Sequence, residues 1–205
     1  MKKITYSILL MIFVCGSLIA DSLSELNSKL SNIKSMHANF SQRMIDGQNH
    51  SNIQAEGSMS IKKPSFFKWQ TTSPTNQDII SNGSKLWLYD GDLEQLVIRN
   101  VSNNIEQTPY LILLSKNKDD LNKLFTVKKD GANSFILKPK QNDNMISNIV
   151  ITFDNFGNLL SLNITTSLHQ YTLINFSDVK TNIEINNKDF EFIAQKGTDT
   201  IDETK

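Results

Sequence analysis

The sequence predicts an α+β fold that is mainly β: one antiparallel sheet with its helices segregated to one side. Three observations carry that prediction. Short runs of strand-like residues recur from Met36 to Asp178, punctuated by the turn dipeptides Asp46-Gly47, Asn82-Gly83, Asp90-Gly91 and Asp130-Gly131. Helical periodicity is confined to the start of the chain and to one interruption between strands. The stretch Gly57–Leu96 holds both tryptophans and reads as a curled sheet with one apolar face.

Met1–Ala20 has a basic start at Lys2 and Lys3, an apolar run at Ile8–Val14 and a small-residue end at Gly16–Ala20. That pattern is a secretory signal peptide, too short for a spanning helix, with cleavage expected near Ala20. Cys15, the single cysteine, is preceded by Phe13 and Val14, where a lipid-attachment site needs a small residue. Cleavage removes that cysteine, so the mature chain has no thiol chemistry. It also removes two lysines from a chain of zero formal charge, leaving a slightly negative product with no nucleic-acid footprint. Asp21–Lys205 is then one exported, soluble domain.

Ser22-Leu23-Ser24-Glu25 reads as a capping box. Leu23, Leu26, Leu30 and Ile33 follow at helical spacing, an apolar stripe of about three turns. Met36–Met44 fits helix and strand equally; strand is preferred, ending at Asp46-Gly47. Strands are expected at Ile53–Lys63, Phe66–Thr71, Asp78–Ser81, Lys85–Tyr89 and Leu93–Ile98. Asn82-Gly83 predicts a tight hairpin with positive φ at both turn residues. Lys85–Tyr89 is apolar on both faces and predicts a strand covered on each side. Thr108-Pro109 then opens a short, wholly apolar helix through Tyr110, Leu111, Ile112, Leu113 and Leu114, which must be buried against something. Asp119–Leu124 is a second helical patch. Strands resume at Phe125–Lys129, Ser134–Lys138, Ser147–Phe153, Leu159–Thr166 and Gln170–Asp178. Thr181–Asn187 reads as loop, Phe190–Phe192 as a last short strand, and Gly197–Lys205 as frayed or weakly paired.

Lys63 stands out. Met59, Ile61 and Lys63 share one side of a strand by period two, which places a cation on the apolar face, where it needs a partner. With Phe40, Phe66, Phe67, Trp69, Trp87 and Tyr89, this face reads as lining a cavity for apolar cargo. Two plainer readings stand beside it: the aromatic residues simply fill a core, and Lys63 snorkels to the rim. Catalytic signals are absent from the sequence. His37, His50 and His169 lack metal-ligand spacing, no nucleophile elbow or phosphate loop occurs, and Asp119-Asp120 suits a helix N-terminus. The chain is expected to be no enzyme and to need no metal or cofactor.

The runs Leu30, Met36–Gln42, Gly57, Lys63-Pro64, Phe67–Trp69, Ser81–Asp90, Leu93–Gln95 and Thr108-Pro109 together resemble the periplasmic outer-membrane lipoprotein carriers, the LolA family. The resemblance runs in order from the signal peptide to the C-terminus. It implies an incomplete antiparallel β-barrel of about 11 strands with short helices forming a lid over an apolar cavity. It also implies a monomeric periplasmic chaperone with acylated lipoproteins as cargo. Such a carrier receives cargo from an ATP-driven inner-membrane transporter and passes it to an outer-membrane lipoprotein receptor. The implied latch is Lys63 with Leu30, Leu113 and Leu114. The implied cavity and transfer surface comprises Phe40, Met59, Ile61, Phe67, Trp69, Trp87, Tyr89, Tyr110 and Leu111. The family pattern has arginine where this chain has Lys63, so a weaker latch is expected. The alternatives are the outer-membrane receptor of the same fold, disfavoured by Val14 before Cys15, and an envelope lipid-sensing module.

Overall fold

The computed structural model describes residues 15–47, 51–101, 109–115, 118–141 and 145–204, without the side chains of 15–21 and 109–111. In chain order the elements are α1 (Cys15–Asn32), β1 (Ser35–Asp46), β2 (Asn52–Lys62), β3 (Phe66–Ser73), β4 (Gln77–Ser81), β5 (Lys85–Asp90) and β6 (Gln95–Asn100). A 3-10 helix (Pro109–Leu114) and α2 (Lys118–Leu124) interrupt the strands. Then come β7 (Phe125–Asp130), β8 (Ser134–Pro139), β9 (Ile146–Phe153), β10 (Leu159–Thr166), β11 (Gln170–Thr181), a second 3-10 helix (Asn187–Phe190) and β12 (Asp199–Asp202). Much of the predicted signal peptide, and Thr108, lie outside the described residues.

All twelve strands form one sheet in the order β12-β6-β5-β4-β3-β2-β1-β11-β10-β9-β8-β7. The long central strands β1, β2 and β11 are flanked by two meanders, and the end strands β12 and β7 do not pair. The fold is thus an unclosed barrel. α1 packs on β7 and α2, and the first 3-10 helix on β3, so all three helices cover the inner face. Leu23, Leu26, Leu30 and Ile33 are the buried stripe of α1, and Ile112, Leu113 and Leu121 complete the cover from the other two helices. From the strands, the same core takes alternate residues: Met59 and Ile61 of β2, Phe67 and Trp69 of β3, Ile149, Ile151 and Phe153 of β9.

Gly57 has a steric reason. A Cβ there would lie 1.8 Å from the Gln70 carbonyl oxygen and 2.8 Å from Phe40 Cζ, so only glycine lets β3 and the Phe40 ring approach.

Several expectations are corrected. α1 starts at Cys15, so Ser22 lies inside the helix, and Glu25 pairs with Lys129 at 2.6 Å instead of capping. In the Asn82-Gly83 turn only Gly83 has positive φ; the Asn82 side chain accepts from the Ser84 and Lys85 amides and makes an Asx turn. Phe190–Phe192 is not a strand: Phe190 closes a 3-10 helix and is wholly buried. Of the two readings of the C-terminal stretch, pairing is the one found. β12 pairs with β6, and it does so in parallel, with Arg99 and Glu203 joined at 2.7 Å beside it.

Candidate functional site

The site is built where β2 runs out. Lys62 and Lys63 are consecutive, so their side chains leave on opposite faces of the sheet. The Lys63 amide donates to Lys34 O at 2.8 Å, which fixes this corner against the end of α1. The Lys63 Nζ then donates to Leu30 O at 2.8 Å and to Ser115 O at 2.9 Å. One ammonium therefore ties together the end of β2, the last turn of α1 and the residue that follows the first 3-10 helix. Leu113 and Leu114 stand in that helix, with Leu113 buried in the inner core and Leu114 packed against it. The second carbonyl is that of Ser115, one residue beyond the position implied by resemblance.

Burial lowers the Lys63 pKa from its usual 10.5 to about 8, because desolvation penalises the charged form. No charged neighbour enters among the causes of the shift. Among the described residues, two backbone carbonyls hold the cation.

Beneath this tie the sheet presents the residues expected to line a cavity. Phe40 stacks on Trp69 with ring centroids 3.8 Å apart, and Phe67 lies near-parallel to Trp69 at 6.5 Å. With Met59 and Ile61 they are all buried under the helical cover. Near the Lys63 tie the inner face is covered by Leu30, Ile112 and Leu113. Tyr110 and Leu111 belong to the 3-10 helix, but their side chains lie outside the described residues.

Trp87 and Tyr89 are placed elsewhere. Trp87 pairs with Ile80 and Ile98, on the face opposite Trp69, and joins a second apolar cluster with Leu96 and Phe190. Tyr89 packs on Phe192 at 4.7 Å between rings. Strand β5 reads Leu86-Trp87-Leu88-Tyr89, apolar at every position, so alternation cannot say which pair points inward. Leu86 and Leu88 take the inner face, in register with Ser81 and Ile79.

The outer cluster is covered by the C-terminal segment, through Ile185, Phe190 and Phe192. Lys62 Nζ donates to Ile185 O at 2.8 Å and Asn187 Oδ1 at 2.7 Å, and Phe66 meets Phe190 at 5.4 Å. Asn182, at φ 57°, accepts from the Lys34 amide at 2.8 Å and donates to Asn32 O at 3.0 Å, capping the end of α1. An asparagine tolerates this left-handed geometry, which is the signal that marks the position in the sequence.

Residues 31–193 match the family model for the outer membrane lipoprotein carrier protein LolA. The chain belongs to the LolA family. It is 55% identical over 205 residues to the outer-membrane lipoprotein carrier protein of Francisella tularensis, covering 100% of this chain and 99% of that one. The corresponding protein of Pseudomonas paraeruginosa is 35% identical over 185 residues, covering 89% and 88%. Among solved structures, an uncharacterized conserved protein from Thermus thermophilus shares the fold with a TM-score of 0.56 at 8% identity, covering 90% of this chain and 99% of that one. In this LolA-family chain the apolar inner face, its helical cover and the Lys63 tie meet at one corner of the sheet. No cluster of His, Cys, Asp or Glu suited to a metal occurs among the described residues.

Proposed function

We propose that this chain is a periplasmic chaperone that shields the acyl chains of lipoproteins and carries them from the inner to the outer membrane. It handles lipoproteins and works with membrane-associated partners. At the finer level, it receives cargo from an ATP-driven lipoprotein-releasing transporter of the inner membrane and delivers it to an outer-membrane lipoprotein receptor, acting as a monomer. The observation that carries the reading is the Lys63 tie: a single ammonium holds an apolar cover onto an apolar sheet face through two carbonyls.

The mechanism is a competition for surface and uses no catalysis. Each acyl methylene taken from water is worth about 0.8 kcal/mol. The cover already buries the same face in the empty protein, so the affinity for cargo is a difference between two burials. That difference keeps release possible, since closing the cover returns most of what unloading loses. Phe40, Met59, Ile61, Phe67 and Trp69 supply the sheet side of the contact; among the described side chains Leu30, Leu113 and Leu114 supply the cover.

The test is a release assay. Protein purified from periplasmic extract is incubated with spheroplasts bearing an acylated lipoprotein, and the soluble fraction is resolved by size. A one-to-one soluble complex with acylated cargo, absent with an unacylated variant, is the expected result. Cargo that stays membrane-bound in every sample sinks the reading.

A further inference from the structure

Away from the Lys63 corner, the opposite end of the sheet carries a surface that cargo binding does not use. There the end of α2, the ends of β8 and β9, the β10–β11 turn and the β1–β2 hairpin form one rim, knitted by backbone hydrogen bonds. Lys140 N donates to Leu124 O at 2.9 Å, Ser167 N to Met145 O at 2.8 Å and Gly47 N to His169 O at 3.1 Å. On this rim Leu124, Met145 and Leu168 are 39%, 60% and 52% exposed. Exposed lysines flank them: Lys123 beside Leu124, Lys138 beside Thr126 in the β7–β8 ladder, and Lys140. None of the three makes an ion pair among the described residues; Lys140 donates to Asn122 O. The other half of the same end, beyond β2, carries Asp78, Asp90, Asp92 and Glu94.

We infer that this rim docks on an anionic phospholipid surface, with Leu124, Met145 and Leu168 set between headgroups and Lys123, Lys138 and Lys140 against the phosphates. Apolar side chains isolated on turn tips suit shallow insertion, and lysine stems lie along apolar surface while their ammoniums meet charge. A protein partner would instead call for an aromatic-rich patch; among the described exposed side chains Tyr171 is the aromatic near this rim. The acidic half is repelled by the same surface, which sets the docked orientation. The contact is independent of the carrier reading, because it involves neither the inner face nor cargo.

Flotation of the protein with empty vesicles tests it: phosphatidylglycerol-rich vesicles against phosphatidylcholine vesicles, at low and raised ionic strength. Binding to the anionic vesicles is expected, falling with salt, with weak binding to the neutral ones. Lys123→Gln and Lys138→Gln each reduce it about fivefold. Leu168→Asp reduces it further, whereas Phe156→Ser, which alters a side chain 93% exposed at the opposite end, leaves it unchanged. All four positions are exposed, and unchanged thermal unfolding confirms that the variants are folded. Equal binding to both vesicle types, no binding at low salt, or an effect of Phe156→Ser equal to that of Leu168→Asp overturns the inference. Because the vesicles hold no lipoprotein, none of these failures touches the carrier reading.

Discussion

Replacing Lys63 with methionine keeps an unbranched stem and deletes the ammonium, which isolates what the tie contributes. Two charge-assisted bonds are lost, at 2.8 Å to Leu30 O and 2.9 Å to Ser115 O. Such bonds contribute about 1.5–3 kcal/mol each. Two effects reduce that sum. Burial disfavours the ammonium, as its lowered pKa of about 8 shows, so part of the gain is already offset. Leu30 O also accepts from the Ile33 amide at 3.2 Å and keeps a donor in the variant. The balance is a loss of about 2 kcal/mol from the closed form. The ratio of open to closed molecules then rises roughly thirtyfold. Uptake of a hydrophobic dye by the empty protein reads this ratio, and the denaturant midpoint reads overall stability in the same samples. Higher dye uptake with a modest fall in midpoint is expected. Unchanged dye uptake would mean that apolar packing of Leu30, Ile112 and Leu113 holds the cover alone, and it would refute the latch.

The pH dependence has a definite sign. Closing lowers the Lys63 pKa from 10.5 to about 8, so the open form binds more protons between those values and closing becomes more favourable as pH rises through them. Dye uptake should fall from pH 8 to 10 in the unaltered protein and stay flat in Lys63→Arg; a rise would show that losing the charge-assisted bonds outweighs the relief of desolvation. At neutral pH Lys63→Arg should take up less dye than the parent, since its planar fork offers five donors in place of three. Gly57→Ala should cost about 3 kcal/mol in a denaturant titration, because its Cβ has backbone 1.8 Å away that cannot yield. A loss below about 1 kcal/mol would mean that β2 and β3 shift apart freely. Phe190→Ala should cost about 3–5 kcal/mol and expose the C-terminal segment to proteolysis; an intact segment under protease would show that β12 and Lys62 hold it without the plug.

The sheet was legible because most of its strands carry one apolar face. Leu159–Thr166 has the bounds that the alternation predicts, and Ser134–Pro139 differs by one residue. Legibility failed where alternation carries no information. β5 is apolar on both sides, so Trp87 and Tyr89 were assigned inward, whereas Leu86 and Leu88 are the inward pair. The C-terminal segment failed for another reason: Asn182, Ile185 and Phe190 bond to residues more than a hundred positions earlier, and a polar, asparagine-rich run gives no local sign of that. Lys63 was the reverse. A cation at an inward position is costly unless bonded, so its place in the pattern announced a partner before any partner was known. The pattern alone also allows Lys63 to snorkel to the rim, and a carbonyl latch is implied only by the family resemblance; the partners are Leu30 O and Ser115 O.

The two lysines also explain how such a protein opens without coming apart. Lys63 secures the inner cover and Lys62 the outer segment, from the same strand end and in opposite directions. Their dependence on the bond differs. The outer segment is anchored again by the buried Phe190 ring and by the β12–β6 pairing, so losing Lys62's two bonds leaves it attached. Among the described residues, the first 3-10 helix packs on β3 and buries Ile112 and Leu113, and the tie at Ser115 adds a directional bond to that packing. An element held by few contacts occupies the low end of local stability, where opening costs least. In the proposed mechanism, apolar cargo that competes for the inner face therefore displaces the cover before it disturbs the sheet or the outer segment. The sheet stays rigid because its own ladder does not depend on either lysine side chain.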